Sequence, residues 1–566
     1  MTRLHRYAFA LVALLWLGGA QALERGRPPE AAVATQNAQA TDAGLEILAQ
    51  GGNAFDAAVA VSATLGLVEP ESSGLGGGGF LLLHLAKGER DVFIDAREKA
   101  PLAATRNMYL DAKGEPDRKQ TTIGARAAAI PGMPAGIVYL QKKYGRLPLS
   151  KSFAPAIRLA ENGWTFSLKN VTLMGYRKDQ LRADPGAAAL YVRDGELPVQ
   201  GAVLKNPAYA DVLRKIAKEG ADGFYRGELA KQLVDGVTAL GGNWTLADLE
   251  QYRVVEREPL RFQYRDWTLV TAPPPSSGGP ALVEIFHILE GYELAKMSRV
   301  GQVHLMVEAM RRAYRDRAIY LGDPDFVKIP LDLMTSPQYA AGLRASINPR
   351  KATPSELLPG VELTSEGNDT SHFSIIDKEG NVAAITQSSN LPYGACVSVP
   401  GTGFMLNDEM DDFSVKPGVP NAYGLVGDDA NAIAPGKRPL SSMAPTILIG
   451  KDRVAALGSP GGSRIISTVL LGLMQLMDGK SAADVAAAPR IHHQYLPDKV
   501  AYEPGALSED EIAQLKARGF TLAEERAWSN LSLIVWDVSQ QRVEAASDPR
   551  WKGVGKGSVG KEAIYQ

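Results

Sequence analysis

One cysteine in 566 residues, Cys396, rules out an intramolecular disulfide and any zinc site built on thiolates. Histidine is scarce as well, seven in all, and no His-Glu-x-x-His occurs. The adjacent pair His492-His493 would point to opposite faces of a strand, which makes a poor two-ligand site. No metal and no cofactor is therefore expected in the chemistry. There is no basic run, and a formal net charge of -2 gives no field that would draw nucleic acid or an anionic membrane. Beyond residue 22 no apolar stretch approaches the roughly 20 residues of a membrane span. Cys396 lies in an apolar stretch and reads as a small buried hydrophobe.

What is present begins with an address. Met1–Arg6 carries Arg3, His5 and Arg6, Tyr7–Leu17 is apolar, and Ala20-Gln21-Ala22 is a small-x-small cleavage pattern. Residues 1–22 read as a secretory signal peptide, which predicts a periplasmic or extracellular protein. An exported chain without disulfides must rely on its core, and this length permits one large core or two to three domains.

Along the chain, Thr41–Gln50 and Ala54–Leu67 have helical composition around a Gly51-Gly52-Asn53 break. Phe80–Leu85 and Asp91–Ala96 read as a hairpin. The chain from Pro131 to about Gly242 is mainly helical, Gln263–Val270 is a strand, and helices follow from Ala281 to about Tyr320. Asn348–Asp369, poor in apolar residues, reads as a mobile, exposed segment. Strands are expected at His372–Asp377, Val382–Thr386, Thr446–Ile449 and Val454–Leu457, a helix over Ile465–Met477, and a strand pair near the C-terminus. Helices, then paired strands, then helices suggest an α+β layered fold.

Four segments carry chemistry. Gly74–Gly79 satisfies G-x-G-x-x-G, but a helix precedes it and a strand follows, the reverse of the dinucleotide motif. These glycines read as a close approach of two backbone layers. Gly458–Arg464 lies between a strand and a helix, where successive glycine amides form either an anion nest or a simple turn. Asn407–Asp412 packs four acids with no basic neighbour, lacks the spacing of a calcium loop, and by itself reads as solvated surface. Finally, Asp369-Thr370 opens an apolar alternation. Cutting that bond would give Thr370 a hydroxyl nucleophile and its own amine as base.

Together, Asp369–Ser374, Leu406–Ser414, Arg438–Met443 and Gly458–Arg464 resemble γ-glutamyltransferase. Gly76–Phe80, Ile94–Arg97, Pro131-Gly132 and Pro274–Gly279 fit the same family, and the resemblance runs from about Ala32 to the C-terminus. It implies an N-terminal-nucleophile hydrolase fold, an αββα sandwich made as one precursor. Self-cleavage between Asp369 and Thr370 would leave residues 23–369 as the large subunit and 370–566 as the small one, held together as a heterodimer. By resemblance Thr370 is the nucleophile, supported by Ser388 where the family commonly has threonine. Gly461 and Gly462 present the oxyanion-hole amides. Arg97, Ser441 and Ser442 take the donor's α-carboxylate, while Asn390, Glu409 and Asp412 take its α-ammonium. The Lys416–Asn431 segment, with Tyr423, resembles the lid loop.

These implied roles agree with elementary chemistry. A guanidinium fork suits a carboxylate, and acids with no neighbouring base in sequence suit an ammonium. The implied substrates are glutathione and other γ-glutamyl compounds, with water, amino acids or peptides as acceptors. Two alternatives stand beside this reading. A glutaryl or cephalosporin acylase would act on a substrate lacking the ammonium, so the Asn390, Glu409 and Asp412 set speaks against it. A non-catalytic γ-glutamyl peptide binding protein would not need an intact Asp369-Thr370.

Overall fold

In the computed structural model, which describes residues 26–358, 370–551 and 555–560, Val382–Ser388 is buried at every position. A strand covered on both faces needs no polar side. It lies inside a seven-stranded antiparallel sheet. The spatial order is Lys556–Val559, Ala32–Thr35, Ser371–Ile376, Val382–Ser388, Gly78–Leu85, Arg90–Ala96 and Val255–Arg257. A second antiparallel sheet of six strands runs Arg542–Ser547, Ser532–Asp537, Arg453–Gly458, Thr446–Ile449, Trp267–Thr271 and Leu260–Tyr264.

The two-residue period of the strands sorts their side chains into two cores. Ala34, Phe80, Leu82, Val382 and Ala384 join the second sheet and the helices Gly278–Glu290, Arg299–Tyr320 and Ile465–Met477. Their neighbours Val33, Leu81, Leu83, Ala383 and Ile385 face the other way, onto helices Ala54–Val68 and Met133–Tyr144. Helix, sheet, sheet and helix are thus stacked in four layers. This is the αββα sandwich expected, and each large aliphatic buried in it is worth about 1.5–3 kcal/mol.

The glycine run behaves as the sequence suggests. A Cβ on Gly76 or Gly77 would overlap the carbonyl oxygens of Met405 and Ser388, so the run lets the strand Gly78–Leu85 pass close to the Ser388 backbone. One expectation needs correction. Gln263–Val270 is not one strand: Leu260–Tyr264 pairs with Trp267–Thr271 around Arg265, which adopts φ 52 in a turn that carries no glycine or proline signal. The described part of Asn348–Asp369 is tied down at one point, Ser355. The Ser355 amide donates to Asp498 Oδ2 at 2.7 Å, its hydroxyl donates to the Tyr495 carbonyl at 2.6 Å, and the residue is fully buried. Around that anchor the polar composition goes with exposure, as expected: Asn348, Pro349, Arg350, Lys351, Pro354, Glu356 and Leu357 are all exposed. Asp369 and the expected signal peptide lie outside the described residues.

Candidate active site

Thr370 stands at the entry of Ser371–Ile376, and the pairing of Ser371 with Gln387 carries Ser388 alongside it. Thr370 Oγ1 and Ser388 Oγ are 3.3 Å apart, both buried. The Asn390 amide donates to Ser388 Oγ at 2.9 Å, which fixes that hydroxyl although the side chain has no methyl to restrain it. Asn390 reaches it by adopting φ 74, a left-handed conformation that asparagine tolerates. Its own side-chain amide donates to the Asp408 carbonyl at 3.0 Å.

His372 shares the Thr370 face of the strand but is not a base for it. Its ring nitrogens lie 2.8 Å from Thr386 Oγ1 and 3.0 Å from Ser374 Oγ, and burial drives its pKa down to about 3. A neutral imidazole held by two hydroxyls is structural.

Where Arg90–Ala96 ends, Arg97 turns into the interior. Its Nη1 lies 2.8 Å from Glu409 Oε2 and 3.4 Å from Glu98 Oε2, and its Nη2 lies 2.5 Å from Asp412 Oδ2. It also donates to the Pro439 and Leu440 carbonyls, both at 3.2 Å. Burial alone would strip the charge, but the three acids outweigh it and hold the guanidinium charged. The acids respond in the opposite sense. Burial pushes Glu98 up to about 7 against the pull of Arg97, and drives Glu409 well above the usual carboxylate range.

This corrects two expectations about Asn407–Asp412. The segment is no solvated surface, since Asn407, Asp408, Glu409 and Asp411 are all buried. Nor are Glu409 and Asp412 without a base, because Arg97 arrives from more than three hundred residues away in sequence. Glu409 Oε1 nevertheless has no hydrogen-bond partner among the described residues. Asp412 is held from the other side by Asn421, whose amide donates to Oδ1 at 3.0 Å.

Gly461 and Gly462 link Arg453–Gly458 to Ile465–Met477 with φ values of 129 and 54, conformations that glycine adopts without penalty. Tyr423 lies over Gly462, so that a Cβ there would overlap the ring, while its hydroxyl donates to the Asn390 carbonyl at 2.6 Å. One aromatic side chain thus joins the Lys416–Asn431 segment, the glycine turn and the Asn390 loop.

These elements enclose a small cavity of about 20 Å³. Arg97, Thr370, Ser388, Asn390, Asp412, Tyr423, Ser441, Ser442 and Gly462 all line it. Glu409 pairs with Arg97 and does not line the cavity, and Gly461 lines a different one. Three participants escaped the sequence reading. Glu98 was masked by its neighbour Arg97, and Asn421 by its place in a loop. Arg317, fully buried on the long helix, donates to Ser277 Oγ at 3.0 Å and approaches Ser442 Oγ at 3.5 Å.

The profile of the family described as Gamma-glutamyltranspeptidase matches residues 40–558. A Glutathione hydrolase proenzyme of Pseudomonas sp. (strain A14) is 44% identical over 537 residues, which is 92% of this chain and 92% of the relative. The Glutathione hydrolase proenzyme of Escherichia coli (strain K12) is 41% identical over 530 residues, 93% of this chain and 91% of the relative. Among solved structures, the cephalosporin acylase from Bacillus halodurans has a TM-score of 0.82 at 28% identity, covering 94% of this chain and 96% of the acylase.

Proposed function

The chain belongs to the gamma-glutamyltranspeptidase family, and on that premise we propose that it cleaves γ-glutamyl amides such as glutathione through an ester on Thr370. The γ-glutamyl group then passes to water or to an amino acid or peptide. The observation that carries this reading is the pairing of Thr370 Oγ1 with Ser388 Oγ inside a cavity that Arg97 and Asp412 also line.

Maturation comes first. The Thr370 hydroxyl attacks the Asp369 carbonyl, the C–N bond gives way to an ester, and water releases the ester, leaving Thr370 as a free N-terminus. Residues 23–369 and 370–566 stay associated because the seven-stranded sheet interleaves them: Ala32–Thr35 and Gly78–Leu85 flank the hairpin of Ser371–Ile376 and Val382–Ser388. Residues 1–22 direct export, which places the enzyme in the periplasm or outside the cell. Among the described residues no helix is long and apolar enough to cross a membrane.

In turnover the α-amine of Thr370, with a pKa of about 7.7–8.0, takes the proton of its own hydroxyl. The oxygen attacks the γ-carbonyl, and amides of the Gly461-Gly462 turn stabilise the oxyanion. The C–N bond breaks as the proton passes to the departing amine. The donor's amino-acid head is recognised by exchange of ion pairs. Its α-carboxylate meets Arg97 with Ser441 and Ser442, and its α-ammonium meets Asp412, Asn390 and Glu409, whose Oε1 has no partner among the described residues. Burial makes each of these charges costly alone, so a zwitterion fits where a single charge does not. A glutaryl group lacks the ammonium and forfeits half of this exchange.

Purified protein should give two fragments on a denaturing gel, the smaller beginning at Thr370, and should hydrolyse glutathione. Thr370→Ala should remain one chain and inactive. Two fragments from that variant would assign the cut to another group.

A further inference from the structure

A charge imbalance outside the Thr370 cavity lies beside the glycine turn. A cavity of about 250 Å³ is lined by Gly461 on one side and by Tyr176, Arg526, Trp528 and Asn530 on others. Four cationic side chains line it, Lys169, Arg464, Arg526 and Arg550, and no acidic residue does. Three of the four are matched elsewhere: Lys169 lies 3.1 Å from Glu69, Arg550 lies 2.6 Å from Asp548, and Arg464 pairs with Glu525. Arg526 has no carboxylate within ion-pair distance among the described residues. Its guanidinium is exposed and, among the described residues, donates to the Tyr176 hydroxyl alone, at 2.9 Å.

A second observation points to a ligand. Asn530 is buried at this cavity, yet neither its amide nitrogen nor its amide oxygen has a hydrogen-bond partner among the described residues, and the Trp528 indole N–H has none either. Buried polar groups are rarely left so, because each unmade bond costs about 1–3 kcal/mol in general. An amide that offers both a donor and an acceptor matches a peptide group.

The cavity is also coupled to the nucleophile. Lys169 donates to Glu69 Oε2 at 3.1 Å, and the same oxygen accepts the Ser371 hydroxyl at 2.9 Å, one residue after Thr370. Gly461 faces this cavity while Gly462 faces the Thr370 cavity. A γ-glutamyl amide whose reacting carbonyl sits at the turn has its glutamyl half on the Gly462 side, so its amine half extends toward the Gly461 side.

The geometry points to this cavity as the subsite for the amine half of the substrate, both the departing group and the incoming acceptor. It takes an amino acid or short peptide with a free carboxylate, held by Arg526, with its peptide group at Asn530. This rests on the reading of Thr370 as the acylated nucleophile. The amine itself is not bound by charge, as it must be neutral to attack the ester.

The test compares two donors that share the glutamyl half. Glutathione releases a dipeptide bearing a carboxylate, and γ-glutamyl-p-nitroanilide releases a neutral aniline. In Arg526→Ala the ratio of kcat/KM for glutathione to kcat/KM for the anilide should fall about tenfold, as expected for one charge-assisted contact near the surface. Arg526→Lys should recover part of it, and Arg526→Glu should lower it further. An unchanged ratio in both Arg526→Ala and Arg526→Glu, with wild type active on both donors, overturns the subsite and leaves the nucleophile standing. Wild-type protein that turns over neither donor overturns the nucleophile reading and the subsite with it.

Discussion

Arg97 Nη2 and Asp412 Oδ2 stand 2.5 Å apart, an ion pair between a residue that follows an edge-side strand and one in a short turn after the central hairpin. On the proposed assignment, donor binding shares that pair between the two ends of an amino-acid head. Removing a buried charge-assisted contact costs about 1.5–3 kcal/mol, or roughly 10–100-fold. Asp412→Ala should therefore lower kcat/KM on γ-glutamyl substrates by that factor and hardly alter any activity on glutaryl amides. Equal losses on the two classes would remove the ammonium from Asp412.

Ser388 Oγ lies 3.3 Å from Thr370 Oγ1, and the Asn390 amide orients it. Ser388→Ala should lower kcat about tenfold, in keeping with one lost hydrogen bond at the reacting oxygen, and should slow maturation. Ser388→Thr keeps the oxygen and should stay near wild type. Wild-type kcat in fully processed Ser388→Ala would confine Ser388 to a packing role.

What could be read in the sequence divides along local and distant causes. The hairpin around Lys378-Glu379-Gly380-Asn381, the helix Ile465–Met477 and the turn Gly458–Arg464 follow from short-range pattern and appear where expected. The turn at Arg265 did not show, because its left-handed residue is neither glycine nor asparagine. The acid run Asn407–Asp412 looked exposed for a different reason. Its neutralising partner Arg97 is brought by the sheet, not by the sequence, and a buried charge is legible only once its partner is placed. The same holds for Ser355, whose burial depends on Arg311 and Asp498. The resemblance supplied the membership of the site, but not the contacts within it: Glu98, Asn421 and the Tyr423–Asn390 bond come from tertiary structure alone.

Glu98 gives a pH dependence with a definite sign. Burial raises its folded pKa from 4.5 to about 7. Between those values the folded protein keeps a proton that the unfolded chain has released, so stability falls as pH rises through the window. The slope from one such group is at most about 1.4 kcal/mol per pH unit. Glu98→Gln carries no titrating proton and should flatten the decline. Urea midpoints at pH 5 and pH 7 for both proteins make the comparison, and identical slopes would show that the proton is held elsewhere.

Gly462 is where catalysis and packing are hardest to separate. If its amide steadies the oxyanion, disturbing the turn costs kcat rather than donor affinity, and Gly462→Ala should lose about 100-fold or more. The structure supplies a rival cause for the same loss. A Cβ at Gly462 overlaps the Tyr423 ring, and φ 54 strains any side chain there. Displacing Tyr423 would also break its bond to the Asn390 carbonyl, loosening the Lys416–Asn431 segment and the Asn390 loop, the proposed ammonium site, together. The two causes part in the double variant. Tyr423→Ala alone leaves the turn intact and should raise KM for the donor more than it lowers kcat. Adding Gly462→Ala to that background removes the overlap, so a purely steric effect would largely vanish, whereas a loss of oxyanion geometry would persist as a further fall in kcat. Non-additivity between contacting residues is expected in either case, so the sign of the residual kcat effect decides. A Tyr423→Ala/Gly462→Ala enzyme, fully processed, with the kcat of Tyr423→Ala would take the oxyanion role away from Gly462.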